Sequence, residues 1–75
     1  MYHLIKSKNI VRVKKLKKDL VLEFKSGASY LYNNAGTHIK PFLKTLRPDY
    51  YFNEFIRNKY DFNIYKIKKV NYGKV

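Results

Sequence analysis

Hydrophobic and polar positions alternate with a period of two through the first part of the chain. Val11 and Val13 alternate with Arg12 and Lys14, and after Lys17, Lys18 and Asp19 the pattern resumes with Leu20, Leu22 and Phe24. This predicts a hairpin. Lys25, Ser26 and Gly27 follow, Gly27 being at ease with positive φ, and Ala28, Tyr30 and Tyr32 then alternate again. Two loop lengths give two registers. A three-residue loop with Gly27 left-handed sets Phe24 opposite Ala28, Leu22 opposite Tyr30 and Leu20 opposite Tyr32. A two-residue Ser26-Gly27 loop shifts the pairing by one and turns both tyrosines to the face of Val21 and Glu23. The first register is preferred, because it gathers the most apolar side chains on one side.

Asn33, Asn34, Ala35 and Gly36 interrupt the third strand. A short helix is expected over residues 37–46, capped by Thr37 or a neighbour, with Ile39, Phe42, Leu43 and Leu46 as its apolar stripe. Pro41 fits its first turn, which would start the regular helix only near Lys40. A second, amphipathic helix follows Pro48, with Asp49 as its cap. Tyr51, Phe52, Phe55, Ile56 and Lys59 or Tyr60 lie on one face, and Asn53, Glu54, Arg57, Asn58 and Asp61 on the other. Phe62 and Ile64 alternate with Asn63 and Tyr65, which leaves room for a short fourth strand. The prediction is an α+β fold, a three-stranded antiparallel meander packed against two helices. Residues 1–8 form a basic arm, 9–67 the domain and 68–75 a basic tail.

Charge changes this picture from a fold to a surface. Among 75 residues, 17 Lys and Arg face five Asp and Glu, a net charge of +12. Lys, Asn, Ile, Tyr and Phe are all abundant, as AT-rich coding sequence would make them, yet Glu23 and Glu54 are the only glutamates. The shortage of acid therefore points to a selected positive surface, whose partners are polyanions. The cations concentrate at the ends: residues 1–18 hold seven and no acid, residues 62–75 four and no acid. Zero cysteines exclude a disulfide scaffold and a thiolate zinc site, and no apolar run approaches membrane-spanning length. A cytoplasmic setting is the expectation.

The Lys25-Ser26-Gly27 turn, the Tyr30-Leu31-Tyr32 triplet and the segment Tyr51-Phe52-Asn53-Glu54-Phe55-Ile56-Arg57-Asn58-Lys59-Tyr60 stand in one order and spacing. Together they resemble the KTSC domain, a small module found alone and at the C-terminus of some lysyl-tRNA synthetases. That family carries a central Tyr-x-Tyr and a later Tyr-Phe-Asn-x-x-Ile-Arg-x-x-Tyr segment. The resemblance covers roughly residues 9–65 and implies this fold, with RNA binding suggested by the synthetase context. The chain departs from it where members open their first helix with hydrophobic-Pro-Glu; here Asn34, Ala35, Gly36 and Thr37 stand there, and the proline is Pro41.

Catalytic chemistry has little support. The five acids are scattered, His3 and His38 lie far apart, and Ser26 and Ser29 have no recognisable base, so neither an enzyme, a metal site nor a cofactor is expected. The sequence instead indicates a non-enzymatic nucleic-acid-binding module, with RNA or single strands favoured because no recognition-helix motif is present. Arg12, Lys14, Lys15, Lys17 and Lys18 on the first hairpin and Lys66, Lys68 and Lys69 near the tail would neutralise phosphates. Asn53 and Arg57, four apart on one helix face, would grip a phosphate or base edge, with Lys59 extending the patch. Tyr30 and Tyr32 are either core residues, the preferred reading, or a stacking platform. The rival function is a protein-interaction module or inhibitor whose basic surface docks on an acidic, nucleic-acid-like surface.

Overall fold

A computed structural model describes residues 1–67, with Ile67 as backbone only. The fold is α+β, and its sheet has five strands, the expected three-stranded meander and short further strand plus one more: β1 (His3–Leu4), β2 (Ile10–Leu16), β3 (Asp19–Phe24), β4 (Ala28–Tyr32) and β5 (Phe62–Ile67). They lie in sequence order, each antiparallel to the next. β1 is the strand the hydrophobic pattern missed: two residues cannot display an alternation, and His3 and Leu4 join the sheet by pairing with Val13 and Arg12. The tail, with Lys68 and Lys69, lies outside the described residues.

The central register is the one that the three-residue loop predicts. Leu22 pairs with Tyr30 and Leu20 with Tyr32, while Gly27 sits at φ 101° and donates its N–H to the Phe24 carbonyl at 2.9 Å. An L side chain at that φ would be strained, so this turn depends on glycine. On the first hairpin Leu16 pairs with Asp19, leaving Lys17 and Lys18 as the turn.

Alternation then sorts the side chains. Val13, Leu20, Leu22 and Tyr32 are buried on the face that packs with Ala35, Phe42, Phe52 and Ile56. Edge-to-face ring contacts join Phe24 to Tyr30 and to Phe52, and Tyr32 to Phe52, at centroid separations of 5.7, 5.4 and 5.6 Å. Arg12, Lys14, Val21 and Glu23 go to the opposite face.

After β4 the chain turns at Asn34, whose N–H donates to Asp19 Oδ1 at 2.8 Å. Gly36 follows, buried and donating its N–H to the Lys18 carbonyl at 2.8 Å. A 3-10 turn over Gly36–His38 leads into α1 (Ile39–Lys44). The regular helix thus starts close to Lys40, as Pro41 suggests, but ends at Lys44, before Leu46, and Thr37 does not cap it. Its stripe is also narrower: Phe42 is buried and Ile39 partly so, but Leu43 is 38% and Leu46 96% exposed. The chain leaves the helix at Thr45 (ψ 145°), whose hydroxyl accepts the Arg47 N–H at 3.1 Å in a local turn. Arg47 is held away from helical geometry (φ −132°, ψ 69°) because Pro48 follows it.

α2 (Pro48–Tyr51) begins with Pro48 in its first turn, where the missing N–H costs nothing. Pro48 was expected outside and Asp49 as the cap. In the structure Arg47 occupies the capping position and no side chain caps the helix, because the Asp49 carboxylate is turned elsewhere. The helix continues as a π turn over Phe52–Ile56, closed by the Arg57 N–H on the Phe52 carbonyl at 2.8 Å. Phe52 and Ile56 point into the core.

Candidate nucleic-acid interface

The β3–β4 turn and the π turn flank a cleft of about 460 Å³, lined by Phe24, Lys25, Ser26, Tyr30, Tyr32, Phe52, Asn53 and Arg57 together with Asn9 and Asp49. Four residues singled out from the sequence, Tyr30, Tyr32, Asn53 and Arg57, meet here. Arg57 donates from Nη1 to Asn53 Oδ1 at 3.3 Å and makes no ion pair with Glu54 or Asp61. Among the described residues the one ion pair is Arg12 with Glu23.

The tyrosine rings do not form a free platform. Tyr32 is 5% exposed, and both rings pack against Phe62 at 5.5 Å, Tyr30 edge-on and Tyr32 tilted by 33°. Both residues nonetheless line the cleft. Burial raises the pKa of Tyr32, with a further rise from neighbouring Tyr30 and an opposing pull from the Arg57 guanidinium. The phenol therefore remains a hydrogen-bond donor at neutral pH.

A second hollow adjoins this cleft through their shared residues Lys25 and Asp49, and it is lined also by Lys6, Ser7, Lys8, Arg47 and Tyr50. Across the two, Lys6, Lys8, Lys25, Arg47 and Arg57 face a single acid. All five cations are exposed. Asp49 is already engaged: Ser7 Oγ donates to its two carboxylate oxygens at 2.8 and 2.9 Å, the Lys8 N–H at 3.1 Å and the Asn9 side-chain amide at 3.3 Å. Ser7 Oγ in turn accepts the N–H groups of Asn9 and Ile10 at 3.1 and 2.9 Å. Partial burial pushes the Asp49 pKa up, but the hydrogen bonds from Ser7, Lys8 and Asn9 outweigh it and hold the carboxyl below its ordinary value. The carboxylate thus holds the loop that carries Lys6 and Lys8 against the start of α2.

The predicted basic hairpin does not form one patch. Arg12 and Lys14 project from the open face of the sheet. Arg12 donates from Nε to Glu23, and its guanidinium lies 3.9 Å from the centroid of the Tyr2 ring. Lys14 stands between Tyr2 and Tyr65, at 4.6 and 5.4 Å, and Lys66 lines the same shallow hollow. Lys15 goes to the opposite side by alternation, while Lys17 and Lys18 occupy the hairpin tip. Lys59 is exposed beyond the π turn.

Sequence reasoning missed Lys6, Lys8, Lys25 and Arg47 as a group, because they are single cations far apart in the chain with no run to mark them. It also left His38 without a role. His38 bonds through Nδ1 to the Tyr51 hydroxyl at 2.7 Å and through Nε2 to the Tyr60 hydroxyl at 2.9 Å, tying the approach to α1 to the last residue of α2 and to the chain just beyond the π turn. Burial raises the Tyr51 pKa, assisted by the neighbouring Tyr60 phenol. Both ring nitrogens are thereby occupied, and among the described residues no group of His, Asp and Glu side chains is placed to hold a metal ion. Nor is any described helix long and apolar enough to cross a membrane.

No protein-family model matches the chain, and a search of curated proteins finds no match either.

Proposed function

We propose that this protein is a small, non-enzymatic nucleic-acid-binding module, preferring RNA or single strands, and that it is a KTSC-type domain. One observation carries the reading: five cations from positions 6, 8, 25, 47 and 57 line two adjoining clefts against one acid that is already hydrogen-bonded. A polyanion held there releases its counterions without meeting a free carboxylate. Concave, nucleotide-sized hollows with aromatic walls suit unpaired bases, which can be splayed apart, better than the convex surface of a duplex. The two segments that resemble the KTSC domain, Tyr30-Leu31-Tyr32 and residues 51–60, both contribute to the first cleft.

The test is a salt titration of a labelled single-stranded RNA followed by fluorescence anisotropy. Five phosphate contacts predict a slope of log K against log salt of about −3.5, at roughly 0.7 per contact on a single strand. Replacing Lys6, Lys8, Lys25 and Arg47 by Ala should flatten that slope by about 2.8, from the same coefficient. Replacing Lys17 and Lys18, at the hairpin tip, should change it less. Absence of affinity near about 50 mM salt, where such electrostatic binding is strong, would transfer the protein to the rival reading. That rival, a module docking on an acidic protein surface, draws support from Leu46, 96% exposed beside the same cations.

A further inference from the structure

We infer that the cleft between the β3–β4 turn and the π turn is a pocket for the phosphomonoester group of a nucleotide, presented by a strand end or by a free mononucleotide. The inference rests on the nucleic-acid reading for the strand-end case only.

Hydrogen-bond donors converge on this cleft from separate elements. Arg57 spends one N–H on Asn53 and, among the described residues, pairs with no carboxylate, which leaves the rest of its fork to a ligand. Asn53 accepts that bond through Oδ1, so its amide NH₂ is available to donate. Ser26 Oγ accepts from the Ala28 N–H at 3.5 Å and keeps its own proton. Lys25 adds a second cation.

Tyr32 completes the set. It is 5% exposed, and its hydroxyl is absent from the side-chain hydrogen bonds that tie Tyr51 and Tyr60 to His38. No buried side-chain oxygen or nitrogen among the described residues lacks a partner, so the Tyr32 oxygen is open to solvent, and Tyr32 is one of the residues that line the cleft. A nearly buried phenol lining a cleft near a guanidinium that has no ion-pair partner among the described residues is an arrangement for an oxyanion.

Charge and size then select among oxyanions. A phosphomonoester carries close to two negative charges and three terminal oxygens, against one charge and two such oxygens on an internal phosphodiester, and so uses more of these donors. A cleft of about 460 Å³ exceeds what a phosphate alone fills and lies in the range of small-molecule pockets. Phe24 and Phe52 supply apolar wall for the attached nucleoside.

The experiment is competition, by anisotropy, against a single-stranded RNA labelled internally. The competitors are the same RNA with a 5′-phosphate, with a 3′-phosphate and with neither; a nucleoside monophosphate and inorganic phosphate are titrated separately by calorimetry. One phosphorylated RNA should bind at least about tenfold tighter than the unphosphorylated one, the scale of one good charge-assisted contact. Tyr32→Phe, which keeps the buried ring, and Arg57→Gln, on an exposed side chain, should each bring that ratio toward one while retaining the wild-type circular dichroism melt. Equal affinity of all three RNAs overturns strand-end recognition and leaves nucleic-acid binding standing. Monophosphate binding that Tyr32→Phe weakens, with no affinity for any RNA, keeps the pocket and removes the nucleic-acid reading. Inorganic phosphate binding as tightly as the monophosphate overturns the nucleotide assignment.

Discussion

Replacing Asp49 by Ala separates two roles with opposite signs at the interface. Removing the one acid among five cations should strengthen attraction for a polyanion. It should also release the loop that carries Lys6 and Lys8. The carboxylate accepts from three groups, the Ser7 hydroxyl, the Lys8 N–H and the Asn9 amide. Hydrogen bonds to a charged acceptor contribute about 1.5 to 3 kcal/mol each when sheltered, but water replaces much of this at partly exposed sites, so a total near 2 kcal/mol is expected. In a domain of this size that lowers Tm by about 8 to 16 °C.

The pH dependence gives the sharper check. The folded carboxyl has a pKa below the ordinary value of 3.8, so the unfolded chain takes up a proton first as pH falls. The contribution of Asp49 is then complete well above pH 3.8 and is lost as pH drops through the lower, folded value. Thermal melts of wild type and variant should therefore differ fully at neutral pH and converge in strong acid. A Tm gap that is absent at neutral pH, or unchanged in acid, would refute the anchoring role.

Two further outcomes concern the frame. Gly36→Ala should destabilise the fold by about 1 to 3 kcal/mol, because a Cβ there would stand 2.8 Å from the main-chain carbon and oxygen of Lys18; an unshifted denaturant midpoint would show that this turn can move aside. Tyr32→Ala should cost about 3 to 5 kcal/mol, as aromatic-to-Ala changes in cores do, whereas Tyr32→Phe should melt near wild type. Equal melts for these two variants would take the ring out of the core.

Much of the sheet was legible because its signals are local. Gly27 fixes the length of the β3–β4 turn, and turn length fixes which residues oppose Leu20 and Leu22, so the burial of Tyr32 followed from the alternation. β5 announced itself through Phe62 and Ile64, although both remain more than half exposed at the sheet edge. β1 and the helix ends were illegible for a different reason. A two-residue strand exists only by virtue of its partner. Leu46 looked like a core residue because its spacing from Ile39, Phe42 and Leu43 suits a helix, but the Thr45 turn and the constraint Pro48 places on Arg47 remove it from that helix.

The candidate site divides in the same way. Asn53 and Arg57 could be paired on paper because helical neighbours four apart meet whatever the rest of the chain does, and the structure places Arg57 on Asn53. The sequence also determined that a cationic surface must exist, since 17 basic side chains cannot be neutralised by five acids. Where that surface lies was decided by tertiary structure alone. Alternation scattered the conspicuous hairpin cations, sending Arg12 and Lys14 to one face, Lys15 to the other and Lys17 and Lys18 to a tip. The Asp49 anchor and the turn before α2 brought the inconspicuous Lys6, Lys8, Lys25 and Arg47 together. Periodicity orders neighbours along a strand or helix; which loops meet is set by how those elements pack.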